Sequence, residues 1–299
     1  MYLYQCDSKK NIMKIGFIGL GSLGTPIAIN LKESGHELYV YNRTASKTAP
    51  LAAKAALVCT SIASLAKECT VVFTIVSDDA ALKSICEGEQ GLLKNLAAGS
   101  LHVSMSTILP QTASELAALH LSCQQQYLAA PVFGRPEAAA ARKLNFVMSG
   151  QQPARKQAEP LLKDAGGTGV FDFGDSITAA NTVKLCGNFL IASALEAIGE
   201  SAALATRSGV DAAAMWNMFS QTLFNTPLYH NYSNIILQQK FEPAAFTARL
   251  GLKDMNLVLQ QAAAANQQMP LASLLKENLQ QLVDNGKENI DWSAVSMAR

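Results

Sequence analysis

One regularity narrows the folds open to this chain: from Lys14 to about Asp175, apolar strand-like runs alternate with stretches of helical period, and beyond Asp175 the alternation stops. The runs KIGFIG (14–19), ELYVY (37–41), ALV (56–58), TVVFTIV (70–76), LHVSMS (101–106) and QYLAAPV (126–132) read as strands, with NFVMSG (145–150) and GVFDFG (169–174) extending the same sheet. Helical stretches at 25–34, 46–54, 61–67, 79–86, 111–122 and 153–164 separate them. Parallel strands need connections of this length, so the alternation predicts an α/β fold with a Rossmann-type doubly wound parallel sheet, six strands plus a small extension. The remainder predicts an all-α C-terminal domain, with helices over 178–208, 211–221, 227–239, 246–266 and 271–285. The first of these, ~45 Å long at 1.5 Å per residue, is long enough to run from one domain into the other. The expected organisation is a poorly packed tail over 1–12, a nucleotide-binding domain over 13–175 and a helical substrate and dimerisation domain over 176–299. The tail is inferred because MKIGFIG from Met13 reads as a natural start.

A chain of 299 residues supports two such domains, and its charge narrows the partners. With 24 Lys and Arg against 23 Asp and Glu, it offers no broad positive field to a nucleic acid or an anionic membrane. Its most apolar long segment, Ala179–Ala205, is interrupted by Lys184, Asn188, Glu196 and Glu200, so no membrane span is expected. The opening residues lack the apolar stretch of a signal peptide. The six cysteines show no CxxC pair, which reads as buried thiols in a reducing, cytoplasmic setting. The histidines (36, 102, 120 and 230) are scattered and the acids form no evident ligand set, so no metal is expected.

Gly19-Leu20-Gly21-Ser22-Leu23-Gly24 is a GxGxxG. It closes the first strand and opens the helix near Pro26, where helix N-terminal amides point at a pyrophosphate. Gly19 permits the tight turn, Gly21 lets the backbone approach phosphate, and Gly24 lets helix and strand pack closely. The end of the second strand selects the cofactor. Asn42-Arg43-Thr44 places no acid there to grip a ribose 2′-hydroxyl and offers the Arg43 fork to a 2′-phosphate, with Asn42 and Thr44 as hydrogen-bond partners. The expected cofactor is NADP, with NADPH preferred over NADH. Lys184 and Asn188 lie at i and i+4 on one helix face, where Lys184 either reaches a polar cavity or snorkels to the surface.

KIGFIGLGSLGTPIAINLKESGHELYVYNRT resembles the start of the β-hydroxyacid dehydrogenase family, which includes 3-hydroxyisobutyrate dehydrogenases and glyoxylate/succinic semialdehyde reductases. Four later segments are similar in the same order: STILP at 106–110, AAPVFGRPEAAAARKL at 129–144, NTVKLCGN at 181–188 and the FxxxxxxKD stretch from Phe246 to Asp254. The resemblance covers nearly everything from Met13 onward. It implies an NADP-dependent oxidoreductase moving a hydride between nicotinamide and a small carbonyl or hydroxy compound, with Lys184 as general acid/base and Asn188 positioning lysine and substrate. It also implies cofactor contacts from Val76, Ser77, Asp78, Thr107 and Lys253, substrate contacts from Ser106, Phe246 and Asp254, and a homodimer or homotetramer.

The substrate segment departs from the family's DAPVSGG. Here Ala129 replaces the acid, Phe133 the serine and Arg135 the second glycine, with Gly134 retained. Arg135 can restore recognition of a carboxylate, and Phe133 can instead pack a more hydrophobic carbonyl compound, so both substrate classes stay open. Two other functions also stay open: an imine reductase-like NADPH enzyme, against which Lys184 argues, and a non-catalytic NADP-binding module.

Overall fold

The computed structural model describes residues 12–297, so the expected tail lies, apart from exposed Ile12, outside the described residues. The chain separates into two compact units. One takes the chain up to Ser106 together with Ser114–Ile177, and the other takes Thr107–Ala113 and the chain from Thr178 onward.

In the first unit, strands β1 (Lys14–Ile18), β2 (Glu37–Tyr41), β3 (Leu57–Val58), β4 (Val71–Thr74), β5 (Leu101–Ser104) and β6 (Gln126–Ala129) form one parallel sheet in the order β3-β2-β1-β4-β5-β6. Every residue of β4 and β5 is buried; β4 accordingly reads as a nearly continuous apolar run, whereas β5 buries His102 and Ser104 alternately with Leu101 and Val103. Helices α1 (Gly24–Glu33), α2 (Ala49–Ala52), α3 (Ile62–Glu68), α4 (Asp79–Cys86), α5 (Leu92–Asn95) and α6 (Pro110–Ser122) connect them. Ile15, Phe17, Val40, Phe73 and Val103 form the centre of the core with Ile27 and Leu31 of α1.

The runs at 145–150 and 169–174 form a sheet of their own, joined to the end of β6 by an antiparallel bridge between Ala129 and Ser149. After β6 the chain forms β7 (Val132–Phe133), α7 (Pro136–Ala140), β8 (Leu144–Met148), α8 (Gln152–Asp164) and β9 (Gly167–Asp172), and the three strands make a second sheet. β7 and β8 are antiparallel because the connection between them is too short for a parallel crossover, whereas α8 carries the chain back to lay β9 parallel to β8. Asn30 ties this extension to α1 by donating to the carbonyls of Ala139 (2.8 Å) and Ala165 (3.1 Å).

The second unit holds α9 (Ala179–Arg207), α10 (Ala212–Gln221), α11 (Pro227–Leu237), α12 (Ala248–Ala264) and α13 (Pro270–Asp284), closed by a 3₁₀ segment at Trp292–Met297. The long helix α9 lies wholly in this unit rather than running out of the other, since its first residue follows the boundary at Ile177. By length and composition α9 is apolar enough to cross a bilayer, but Leu185, Ala192, Leu195 and Ile198 pack with Met255, Leu275, Leu279 and Trp292 as the unit's core. Its buried Glu196 accepts from Asn278 at 3.1 Å.

Two of the histidines that are scattered in the sequence meet inside the first unit. His102 on β5 and His120 on α6 are fully buried, with His102 Nδ1 and His120 Nε2 2.9 Å apart. Burial, then the neighbouring His120, holds the His102 pKa well below its ordinary value, and burial lowers that of His120 to about 4.

Candidate functional site

The glycine-rich loop is built by contacts that leave no room for side chains at two of its three glycines. A Cβ on Gly19, whose φ is +101°, would stand 2.0 Å from the Ile75 carbonyl oxygen, and one on Gly24 would stand 2.0 Å from the Gly19 carbonyl oxygen. A Cβ on Gly21 would meet nothing within 4 Å. The open side of the loop is therefore at Gly21, beside the first turn of α1, whose N–H groups have no acceptors within the helix. That shape fits a pyrophosphate, the group a nicotinamide dinucleotide would present to Ser22 and Leu23, while the Leu20 N–H is taken by Asn42.

Asn42 follows β2, and its side chain is engaged within the protein. Its Oδ1 accepts from Leu20 N–H at 2.9 Å and its Nδ2 donates to the Thr44 carbonyl at 2.9 Å. Asn42 thus couples the glycine loop to the turn carrying Arg43. Arg43 and Thr44 are exposed. Lys47, missed in the sequence reading, is a second exposed cation in the 3₁₀ turn that folds back on Thr44, where its N–H donates to the Thr44 carbonyl at 3.1 Å. Its spacing from Arg43 was the available signal.

The loop after β4 is also fixed by its own side chains. Val76 N–H donates to Ser106 Oγ at 2.9 Å, Ser77 Oγ donates to Asp78 at 2.7 Å, and Asp78 caps α4 by accepting from Ala81 N–H at 2.8 Å. Buried Ser106 therefore braces this loop. In the substrate segment, Phe133 ends β7, exposed Gly134 has φ +145°, and Arg135 precedes α7 with its Nε 3.8 Å from the Glu137 carboxylate.

Four polar side chains converge in the second unit. Lys184 and Asn188 lie one turn apart on α9, both buried, as the i, i+4 spacing requires. Lys253 and Asp254 come from α12, which Thr247 caps. Asn188 Nδ2 donates to Asp254 Oδ2, while Lys253 Nζ stands 2.7 Å from Asp254 Oδ1 and donates to the Thr107 carbonyl at 2.9 Å. Lys253 thus fixes Thr107 through its backbone. Phe246 packs edge-on against Trp292, 4.7 Å between ring centroids, which accounts for an aromatic residue there.

Lys184 lies near both charges. Burial lowers its pKa most, Asp254 raises it and Lys253 lowers it, with the result about 8. A buried amine that gains and loses its proton near neutrality is a competent general acid and base. The surface-lysine alternative is excluded by its burial.

The profile of the NAD-binding domain of 6-phosphogluconate dehydrogenase matches residues 14–178, and that of the NAD-binding region of NADP-dependent 3-hydroxyisobutyrate dehydrogenase matches 178–298. The uncharacterized oxidoreductase YfjR of Bacillus subtilis is 41% identical over 283 residues, 95% of this chain and 98% of that protein. Glyoxylate/succinic semialdehyde reductase 2 of Arabidopsis thaliana is 28% identical over 283 residues, 95% of this chain and 78% of that one. The structure of Mycobacterium tuberculosis 3-hydroxyisobutyrate dehydrogenase with L-serine superposes with a TM-score of 0.85 at 25% identity, covering 96% of this chain and 99% of that one.

Proposed function

Because the chain belongs to the β-hydroxyacid dehydrogenase family, and is thus an NAD(P)-dependent oxidoreductase, we propose that it reduces small carbonyl compounds of the β-hydroxyacid or semialdehyde type with NADPH, using Lys184 as general acid/base. The observation that carries the reading is the buried Lys184 amine, held near neutrality beside the Asn188–Asp254 hydrogen bond.

When bound, the nicotinamide supplies a hydride to a carbonyl carbon or takes one from a hydroxyl-bearing carbon. Lys184 Nζ gives its proton to the carbonyl oxygen in reduction and recovers one from the hydroxyl in oxidation, so hydride and proton together make the two-electron change. With its amide nitrogen tethered to Asp254, Asn188 has its side-chain oxygen left to position lysine or substrate. Gly19–Gly24 would cradle the pyrophosphate, and Arg43 would offset the charge of the 2′-phosphate that distinguishes NADPH, with Thr44 as a hydrogen-bond partner. By the family resemblance, Val76, Ser77, Asp78, Thr107 and Lys253 would contact the cofactor, and Ser106, Phe133, Gly134, Arg135, Phe246 and Asp254 the substrate.

The reading includes a cytoplasmic homodimer or homotetramer built on the helical unit, which exposes Leu190 and Leu204 on α9. A monomer on sizing removes that part. The activity is tested by following NADPH absorbance with glyoxylate, succinic semialdehyde, other aldehydes, keto acids and cyclic imines. Turnover of small carbonyl acids supports it. Turnover of imines alone replaces it with an imine reductase, and cofactor binding without turnover of any compound leaves a non-catalytic nucleotide holder.

A further inference from the structure

The buried histidine pair stands within a polar cluster that the hydride chemistry does not use. Cys86 at the end of α4, His102 on β5 and His120 on α6 are all fully buried, and Cys86 Sγ, His102 Nδ1 and His120 Nε2 lie within 4.8 Å of one another. Sγ is 3.9 Å from His102 Nδ1, and the two ring nitrogens are 2.9 Å apart. The outer nitrogens are held too: His102 Nε2 is 2.9 Å from Thr74 Oγ1, and His120 Nδ1 is 2.8 Å from Gln125 Oε1.

Gln125 orders this chain. Its Nε2 donates to the carbonyls of Leu93 (3.1 Å) and Leu96 (2.8 Å), so its Oε1 is left to accept from His120 Nδ1–H. The Nε2 lone pair of neutral His120 then faces the Nδ1 of His102, with one proton held between them. Each imidazole is braced on its far nitrogen and presents its near nitrogen to a common point that a thiol also faces. Outer-nitrogen bracing of this kind orients metal-ligating histidines.

We propose that Cys86, His102 and His120 form a structural site for a thiophilic d¹⁰ cation, cuprous copper or zinc, which takes the place of the proton shared by the two rings. With metal–sulfur and metal–nitrogen bonds of about 2.3 and 2.0 Å, a trigonal or tetrahedral ion wants its nitrogen donors roughly 3.3–3.5 Å apart and sulfur to nitrogen roughly 3.5–3.7 Å. The rings therefore part by about half an ångström, and the thiolate closes by a few tenths on His102 Nδ1 and by about an ångström on His120 Nε2. Cys86 loses its thiol proton to solvent. The His102 proton moves from Nδ1 to Nε2, where Thr74 Oγ1 turns from donor to acceptor, so one proton leaves per ion. Three donors complete a trigonal cuprous shell, while zinc would take a fourth ligand.

The test uses the full chain with Cys123 and Cys186, both exposed, changed to Ser, so that surface thiols do not compete. It is produced in zinc-supplemented medium, or incubated anaerobically with cuprous ion held by a weak chelator. Elemental analysis then counts metal per chain, and cobalt substitution is followed by absorption. The expected result is close to one zinc or copper per chain that exchanges slowly against chelator, a thiolate-to-cobalt charge-transfer band, and a Tm raised by several degrees. All three are lost in Cys86→Ala, which leaves the histidine–glutamine chain intact and keeps the metal-free Tm as a check on folding. No stoichiometric metal with either ion, or metal and charge-transfer band retained in Cys86→Ala, overturns the site.

Discussion

Asn188 on α9 donates its side-chain amide to the carboxylate of Asp254 on α12. The bond joins the two helices that carry the site's lysines, and the other carboxylate oxygen pairs with Lys253. Asp254 is fully buried, so its charge acts on Lys184 through little water and holds the amine's pKa above the value that burial and Lys253 alone would set.

Asp254→Asn should therefore lower the Lys184 pKa further. Reduction needs the protonated amine, so its alkaline limit should move toward acid, and the rise of oxidation with pH should move the same way. The pH profiles of kcat in the two directions measure this. Unchanged profiles in a folded variant would show that Asp254 only joins helices.

For the unaltered protein, the sign follows from the depressed lysine pKa of about 8. Carbonyl reduction should fall as pH rises through that value and alcohol oxidation should climb, provided chemistry limits the rate. Lys184→Ala should cut kcat by roughly 10²–10⁴-fold while NADPH binds within a few-fold of normal. Turnover within a few-fold of wild type removes Lys184 from the chemistry.

In the proposed reading, cofactor choice rests on the turn after β2, where Asn42 is committed to Leu20 and Thr44 and leaves Arg43 as the donor fork. Arg43→Ala should weaken NADPH by about tenfold or more and leave NADH nearly unchanged, since only the former carries the 2′-phosphate. Fluorescence titration with both cofactors decides it, and an equal loss for both refutes the role.

The glycine loop gives a backbone prediction. A Cβ on Gly24 would meet a carbonyl oxygen rather than a flexible side chain, so α1 must move off β1 in Gly24→Ala. Loss of about 1–3 kcal/mol in stability and weaker binding of both cofactors are expected. Thermal melts and titrations showing neither would mean the loop absorbs the methyl group without consequence.

How far the sequence carries can be judged residue by residue. The GxGxxG turn and the Lys184–Asn188 pair were legible because each depends on local geometry, a turn or a helical spacing. The Asn42 bonds, the brace from Ser106 to Val76 and the Lys253–Thr107 strap were not, because their partners are 22, 30 and 146 residues away. The same limit hid the pairing of His102 with His120 and hid that the last runs make a small sheet of their own, joined to the large one through Ala129 and Ser149. Periodicity marks a strand but not its neighbour.

Arg135 bears on which substrates enter. It replaces a family glycine and is only a quarter exposed, with the largely solvated Glu137 carboxylate 3.8 Å from its Nε. A carboxylate-bearing substrate should then gain from the guanidinium, and Arg135→Ala should raise its KM by about tenfold while kcat changes little, because the lost interaction is made equally in ground and transition states. An uncharged aldehyde of similar size should show the same KM in both proteins. A shared loss for both substrates would instead assign Arg135 to holding the start of α7, and an unchanged KM for the carboxylate would remove Arg135 from substrate recognition.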